Sequence, residues 1–112
     1  MPDVLGEFEQ LVLLALVRLG ADAYGVSIAE DIAERTSRRV SLGAVYKTLE
    51  RLEDKGFAAS SLGEPTAERG GRRKKFFRIQ PAGRRALRHA IASLRRMADG
   101  LPADLDLAAD ES

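Results

Sequence analysis

Apolar residues recur along the chain at helical spacing in four stretches and at strand spacing in two. Over residues 5–19, Phe8, Leu11, Val12, Ala15, Leu16 and Leu19 repeat at three- and four-residue intervals, the period of one helix face. Leu13, Leu14 and Val17 fill the opposite face, and a helix apolar all round must be covered on more than one side. In so short a chain a second subunit is the expected cover. A central position inside one subunit would satisfy the same pattern. Gly20 stops this helix, and a shorter one is expected over residues 27–35, with Ile28 and Ile32 inward and Ala29 and Ala33 beside them.

Ser41 is a suitable N-cap for a third helix running to residue 55, closed by Gly56 just past its end. Val45, Leu49 and Leu52 repeat at i, i+4 and i+7 and point inward; Gly43, Lys47, Glu50, Arg51 and Asp54 fall on the other side. That outward face is small and basic first, acidic later. Residues 57–62 and 74–79 read as two strands of a hairpin joined by a long tip containing Gly63, Pro65 and Gly70-Gly71. Phe77 and Ile79 alternate with Phe76 and Arg78, so one ring packs on the helices and the other faces out. Gln80-Pro81 opens a last helix to about residue 99, with Pro81 suited to its first turn. Its apolar set, from Leu87 through Ala90, Ile91 and Leu94 to Met97 and Ala98, is one continuous stripe opposed by Arg84, Arg85, Arg88, Arg95 and Arg96. Such a stripe should lie against the over-apolar first helix.

Charge changes this picture most. The 112 residues carry a net +1, but the sign is segregated. Residues 1–37 hold two basic side chains against seven acidic ones, residues 38–96 hold sixteen against five, and residues 97–112 hold five acids and no base. A segment of net +11 between two of net −5 is what a phosphate-binding surface looks like, although a solvated basic face would carry the same charge. The absence of Cys removes disulfides and thiolate metal sites and fits a reducing, cytoplasmic setting. No apolar run approaches the roughly 20 residues of a membrane span, and no leader is read at the start, so no membrane partner is expected.

The element order gives a fold class that is mostly α with a small β-hairpin: a winged helix-turn-helix over residues 1–80, an added C-terminal dimerisation helix over 81–99, and an acidic, disordered tail over 100–112. DNA recognition needs a helix slim enough at its start to enter the major groove and cations that neutralise phosphates around it. Gly43 and Ala44 supply the slimness, and Lys47 and Arg51 the charge. The run Arg72, Arg73, Lys74 and Lys75 supplies a second grip on a neighbouring groove. Dimer contacts are expected from Leu11, Leu13 and Leu14 of the first helix with Leu87, Ile91 and Leu94 of the last.

At these same residues the chain resembles the phenolic-acid decarboxylase regulator (PadR) family of transcription factors, in its short branch. The resemblance spans Leu5 to about Met97. It rests on Tyr24-Gly25, on Ser41-Leu42-Gly43-Ala44-Val45-Tyr46-Lys47-Thr48-Leu49 with Leu52-Glu53-Asp54-Lys55-Gly56, and on Gly70-Gly71-Arg72-Arg73-Lys74-Lys75-Phe76-Phe77-Arg78-Ile79 followed by Pro81-Ala82-Gly83. It implies a homodimer whose terminal helix crosses the partner's first helix, recognition helices in successive major grooves of an inverted-repeat operator, and repression relieved by a small-molecule effector or stress. It also implies that Ser41, Gly43, Tyr46 and Lys47 contact double-stranded DNA and that Tyr24 sits near the DNA backbone. Leu42 stands where the family commonly has Pro, and no Trp is present to stack a planar effector.

An enzyme would need a nucleophile with its base, a carboxylate pair in a cleft or a metal cluster. None is legible, and His89 is the single histidine, set among arginines. The reading is therefore a DNA-binding regulator with no cofactor and no catalysis. A winged-helix protein-interaction adapter is the alternative, which the basic hairpin beside a small-faced helix disfavours.

Overall fold

The computed structural model describes residues 4–64 and 73–105. Along them run α1 (Glu7–Leu19), a 3-10 turn (Gly20–Asp22), α2 (Gly25–Thr36), α3 (Leu42–Asp54), β1 (Ala58–Leu62), β2 (Lys75–Ile79), α4 (Pro81–Ala98) and a last 3-10 turn (Ala103–Leu105). The fold is a winged helix-turn-helix, mostly α with one antiparallel hairpin.

Local chemistry explains most boundaries. The Ser41 Oγ accepts the Ala44 N–H at 3.0 Å and fixes the start of α3. Gly56, just past its end, has φ +79°, a backbone state that a side chain would disfavour. Pro81 occupies the first turn of α4, where its missing N–H costs nothing. Helix α2 starts two residues earlier than its polar pattern suggests. Ser27 is not its opening residue: its Oγ accepts the Tyr24 N–H at 2.9 Å from one turn inside the helix.

In the hairpin Ala58 faces Ile79 and Ser60 faces Phe77, which puts Ala58, Phe77 and Ile79 on one side, against the helices. Strand β2 has a neighbour on its other side as well, for the Phe77 N–H donates to the Ala23 carbonyl at 2.9 Å and Tyr24 bridges to Phe76. The stretch between α1 and α2 thereby fastens the root of the hairpin to the helices. The tip, including Arg72, lies outside the described residues, as do residues 106–112 of the acidic tail.

Helix α1 runs through the middle of the body and packs on α2, α3, β2 and α4. Val12, Leu13 and Ala15 have no exposed surface at all. This corrects one expectation: Leu13 is enclosed by its own chain, so a second subunit is not what covers it. Leu11 and Leu14 remain half-buried. The radius of gyration is 15.9 Å, against about 13 Å for a compact chain of this length. In α4 the first half is anchored by the buried Leu87 while Leu94 and Met97 are 61% and 79% exposed.

Candidate nucleic-acid interface

The two halves of α3 meet different surroundings. In the first half Ser41, Leu42, Gly43, Ala44, Tyr46 and Lys47 are all exposed, with Val45 alone turned into the core. A Cβ built on Gly43 would touch nothing within 4 Å, so the protein's own packing does not demand glycine there. Lys47 has no ion-pair partner among the described residues. The Ser41 hydroxyl uses its oxygen as the cap and keeps its hydrogen to donate.

Tyr46 is held from the side. A Cβ at Gly25 would collide with its phenol ring, so the glycine at the start of α2 is what lets the ring lie there. Gly25 and Tyr46 thereby set how closely the two helices of the helix-turn-helix approach. This packing accounts for the Tyr24-Gly25 pair in the sequence, which spacing alone did not explain.

In the second half Thr48, Leu49 and Leu52 are buried. The cations of this half are already engaged. The Lys55 ammonium donates to Glu9 Oε2 at 3.0 Å, and the Arg51 Nε stands 3.6 Å from the same oxygen. Arg51 also donates to the Thr48 hydroxyl at 3.2 Å. These contacts hold the Arg51 guanidinium near α1 without burying it, for more than half of the side chain stays exposed.

Glu9 carries no mark in the sequence pattern, although it is only 6% exposed. Its Oε1 accepts the Gly6 N–H at 2.8 Å. Burial by itself would raise the Glu9 carboxyl, but the Gly6 N–H and the nearby Lys55 and Arg51 outweigh it and hold the group below the ordinary carboxylate range. A glutamate three residues after a helix cap is the one local signal available. Its partner Lys55 lies 46 residues away and gives no local signal.

On the hairpin Arg73, Lys74 and Lys75 are exposed, and among the described residues none of them has a carboxylate partner. The Lys74 ammonium sits 4.4 Å from the Tyr24 ring centroid, and the Phe76 ring meets Tyr24 edge-on at 5.6 Å. Tyr24 therefore anchors the strand that carries these cations. Exposed α3 residues and exposed wing cations are joined through Tyr24 and Gly25 at the start of α2, with Tyr46 of α3 packed on Gly25.

A further apolar surface lies between the segment leading into α1 and the second half of α4. Val4, Leu5, Gln10, His89, Leu94 and Met97 are among the residues that line an open groove of about 390 Å³. Of the expected dimer residues, Leu94 is well exposed, Leu11, Leu14 and Ile91 are partly so, and Leu13 and Leu87 are enclosed by their own subunit. Among the described residues no cluster of His, Asp or Glu is placed to hold a metal ion, and no helix is long and apolar enough to cross a membrane.

The family model for PadR-like transcriptional regulators matches residues 13–89. Among solved structures, the chain is similar to a PadR family transcription regulator from hypervirulent Clostridium difficile. The identity is 26% and the TM-score 0.68, over 82% of this chain and 91% of that one. It is also similar to a PadR family transcriptional regulator from Eggerthella lenta at 28% identity and TM-score 0.64, over 84% and 81%. A transcriptional regulator from Clostridium thermocellum shares the fold at 22% identity and TM-score 0.67, over 80% and 83%. No curated protein sequence gave a match.

Proposed function

Because the chain belongs to the PadR-like family of transcriptional regulators, we propose that it is a cytoplasmic, sequence-specific DNA-binding repressor acting as a homodimer on an inverted-repeat operator. The observation that carries this reading is the first half of α3. It is exposed, slim at Gly43, and bears a lysine without an acidic partner among the described residues, beside a basic hairpin. Ser41, Gly43, Ala44, Tyr46 and Lys47 are the groove-facing set, and Tyr24 flanks the DNA backbone while it holds the wing. Arg73 and Lys74, with Arg72 of the tip, are the phosphate grip. Arg51 is left out of the DNA-facing set because its guanidinium is engaged with Glu9 and Thr48.

The second copy covers the exposed half of α4, seating Leu94 and Met97 against the first helix of its partner. Each groove beside α1 is thereby closed by the other subunit. An effector would act through this same interface, because the angle between subunits sets the separation of the two α3 helices. Selection from a random duplex library tests the reading. The expected result is an enriched palindrome with half-sites about one helical turn apart. A library that enriches no sequence supports the adapter reading instead.

A further inference from the structure

Glu9 stands apart from the surface just described. It is a charged side chain buried in the body of the protein, on a different helix from any group proposed to touch DNA. The carboxylate is buried while its partners Lys55 and Arg51 stay partly exposed, so the pair ties a buried anion to the protein surface, and a defined partner geometry of this kind can fix registry. Each oxygen of this carboxylate is used: Oε1 by the Gly6 N–H at the start of α1, Oε2 by Arg51 of α3 and by Lys55, the residue that caps its C-terminal end. The cap at Gly6 fixes the carboxylate relative to α1, and the carboxylate then fixes the C-terminal half of α3.

We propose that Glu9 is a positioning residue for DNA recognition, setting the aim of α3 through the ion pair with Lys55. Lys55 lies eight residues beyond Lys47, about 12 Å along the helix axis. Ser41 and Gly43 lie at the other end of the same helix, past the packed Val45 and Tyr46, so a small tilt at Lys55 becomes a displacement where base edges are read. Leu5, just before α1, and Gln10 in its first turns line the groove against α4, so the stretch that Glu9 caps also borders that groove. The role rests on the DNA-binding reading above. It predicts a loss of sequence preference rather than of DNA binding, because removing the Glu9 carboxylate takes away one negative charge and leaves Lys55 and Arg51 in place.

The test measures affinities for a duplex selected by the wild-type protein and for its shuffled counterpart, using Glu9→Gln, Lys55→Met, their double variant and Lys55→Arg. Glu9→Gln and Lys55→Met are each expected to cut the preference ratio roughly tenfold, with shuffled-duplex affinity not reduced. The double variant should be no worse than either single one, and Lys55→Arg should keep the wild-type ratio. A purely structural role would lower both affinities together by shrinking the folded fraction, and that result would overturn the assignment. Unchanged ratios in Glu9→Gln and Lys55→Met would overturn it as well. Should Glu9→Gln fail to fold, Lys55→Met at the partly exposed end of α3 decides the matter by the same ratio. A wild-type protein without any preference would instead remove the function reading and this role with it, an outcome visible before any variant is made.

Discussion

The two halves of α3 belong to one helix of thirteen residues, yet they have opposite surroundings. Up to Lys47 the outward side chains are, Leu42 aside, small or polar, and the cation among them has no acidic neighbour among the described residues. From Thr48 onward, core packing buries Thr48, Leu49 and Leu52, and an ion pair to α1 engages both Arg51 and Lys55. A cation on a helix thus cannot be assigned to a ligand by its face alone. Lys47 and Arg51 share the exposed face in the sequence pattern, yet among the described residues only Arg51 has partners, the Glu9 carboxylate and the Thr48 hydroxyl.

The contrast breaks most visibly at Gly43. Gly43→Leu should reduce operator preference to the level of non-specific binding, a drop on the order of a thousandfold, because the added side chain blocks close approach to the groove. The same variant should melt no lower than the wild type, since a side chain there meets open space and leucine is the better helix former. Paired binding and melting curves check both halves of the statement.

In the second half the expectation reverses. Leu52 is fully buried, and Leu52→Ala should cost about 2–5 kcal/mol of stability. At temperatures where the variant is still folded, its operator preference should remain. Chemical denaturation followed by binding at low temperature would show it.

Lys47→Ala should weaken operator binding by about 1–3 kcal/mol if the lysine reads a base edge. Stability should change by no more than about 0.5 kcal/mol, because the side chain is exposed and unpaired among the described residues. A stability loss with binding intact would place Lys47 with the structural half of the helix.

The smallest effect concerns acid. Glu9 titrates below the ordinary carboxylate range, so its contribution to stability is present above the pKa it has in the unfolded chain. That contribution disappears as pH falls through the lower folded value. The stability gap between wild type and Glu9→Gln should therefore be flat at neutral and mildly acidic pH, begin to narrow once pH falls past the ordinary carboxylate value and level off below the lower folded one. Urea melts over a pH series measure this gap. A gap that narrows already near neutrality would contradict the ion pair with Lys55.

Local signals carry the order of elements. Ser41 caps α3 and Gly56 marks its end, the alternation of Phe77 and Ile79 marks the inner face of the wing, and Pro81 opens α4. The start of α2 is displaced from its expected place because Ser27, a residue type that favours caps, works here from inside the helix on a tyrosine. What sequence could not show is tertiary. The pairing of Glu9 with Lys55, the commitment of Arg51, the lodging of Tyr46 on Gly25 and the enclosure of Leu13 join elements far apart in the chain. No periodicity encodes these pairings. The exposed half of α3, by contrast, is readable because small and basic residues before a buried i, i+4, i+7 stripe form a local pattern.

The central claim is that the first half of α3 reads sequence while the wing cations hold phosphates. The most direct measurement is the wild-type affinity for its selected duplex and for a shuffled one across a salt series, repeated with Arg73→Ala. The account predicts that the selected duplex binds at least about a thousandfold tighter at physiological salt. Arg73→Ala should weaken both duplexes alike and lower each salt slope by about one unit for every phosphate no longer neutralised, counted over both subunits. Equal wild-type affinities for the two duplexes, or a wing variant that changes preference while leaving the salt slope intact, would contradict it.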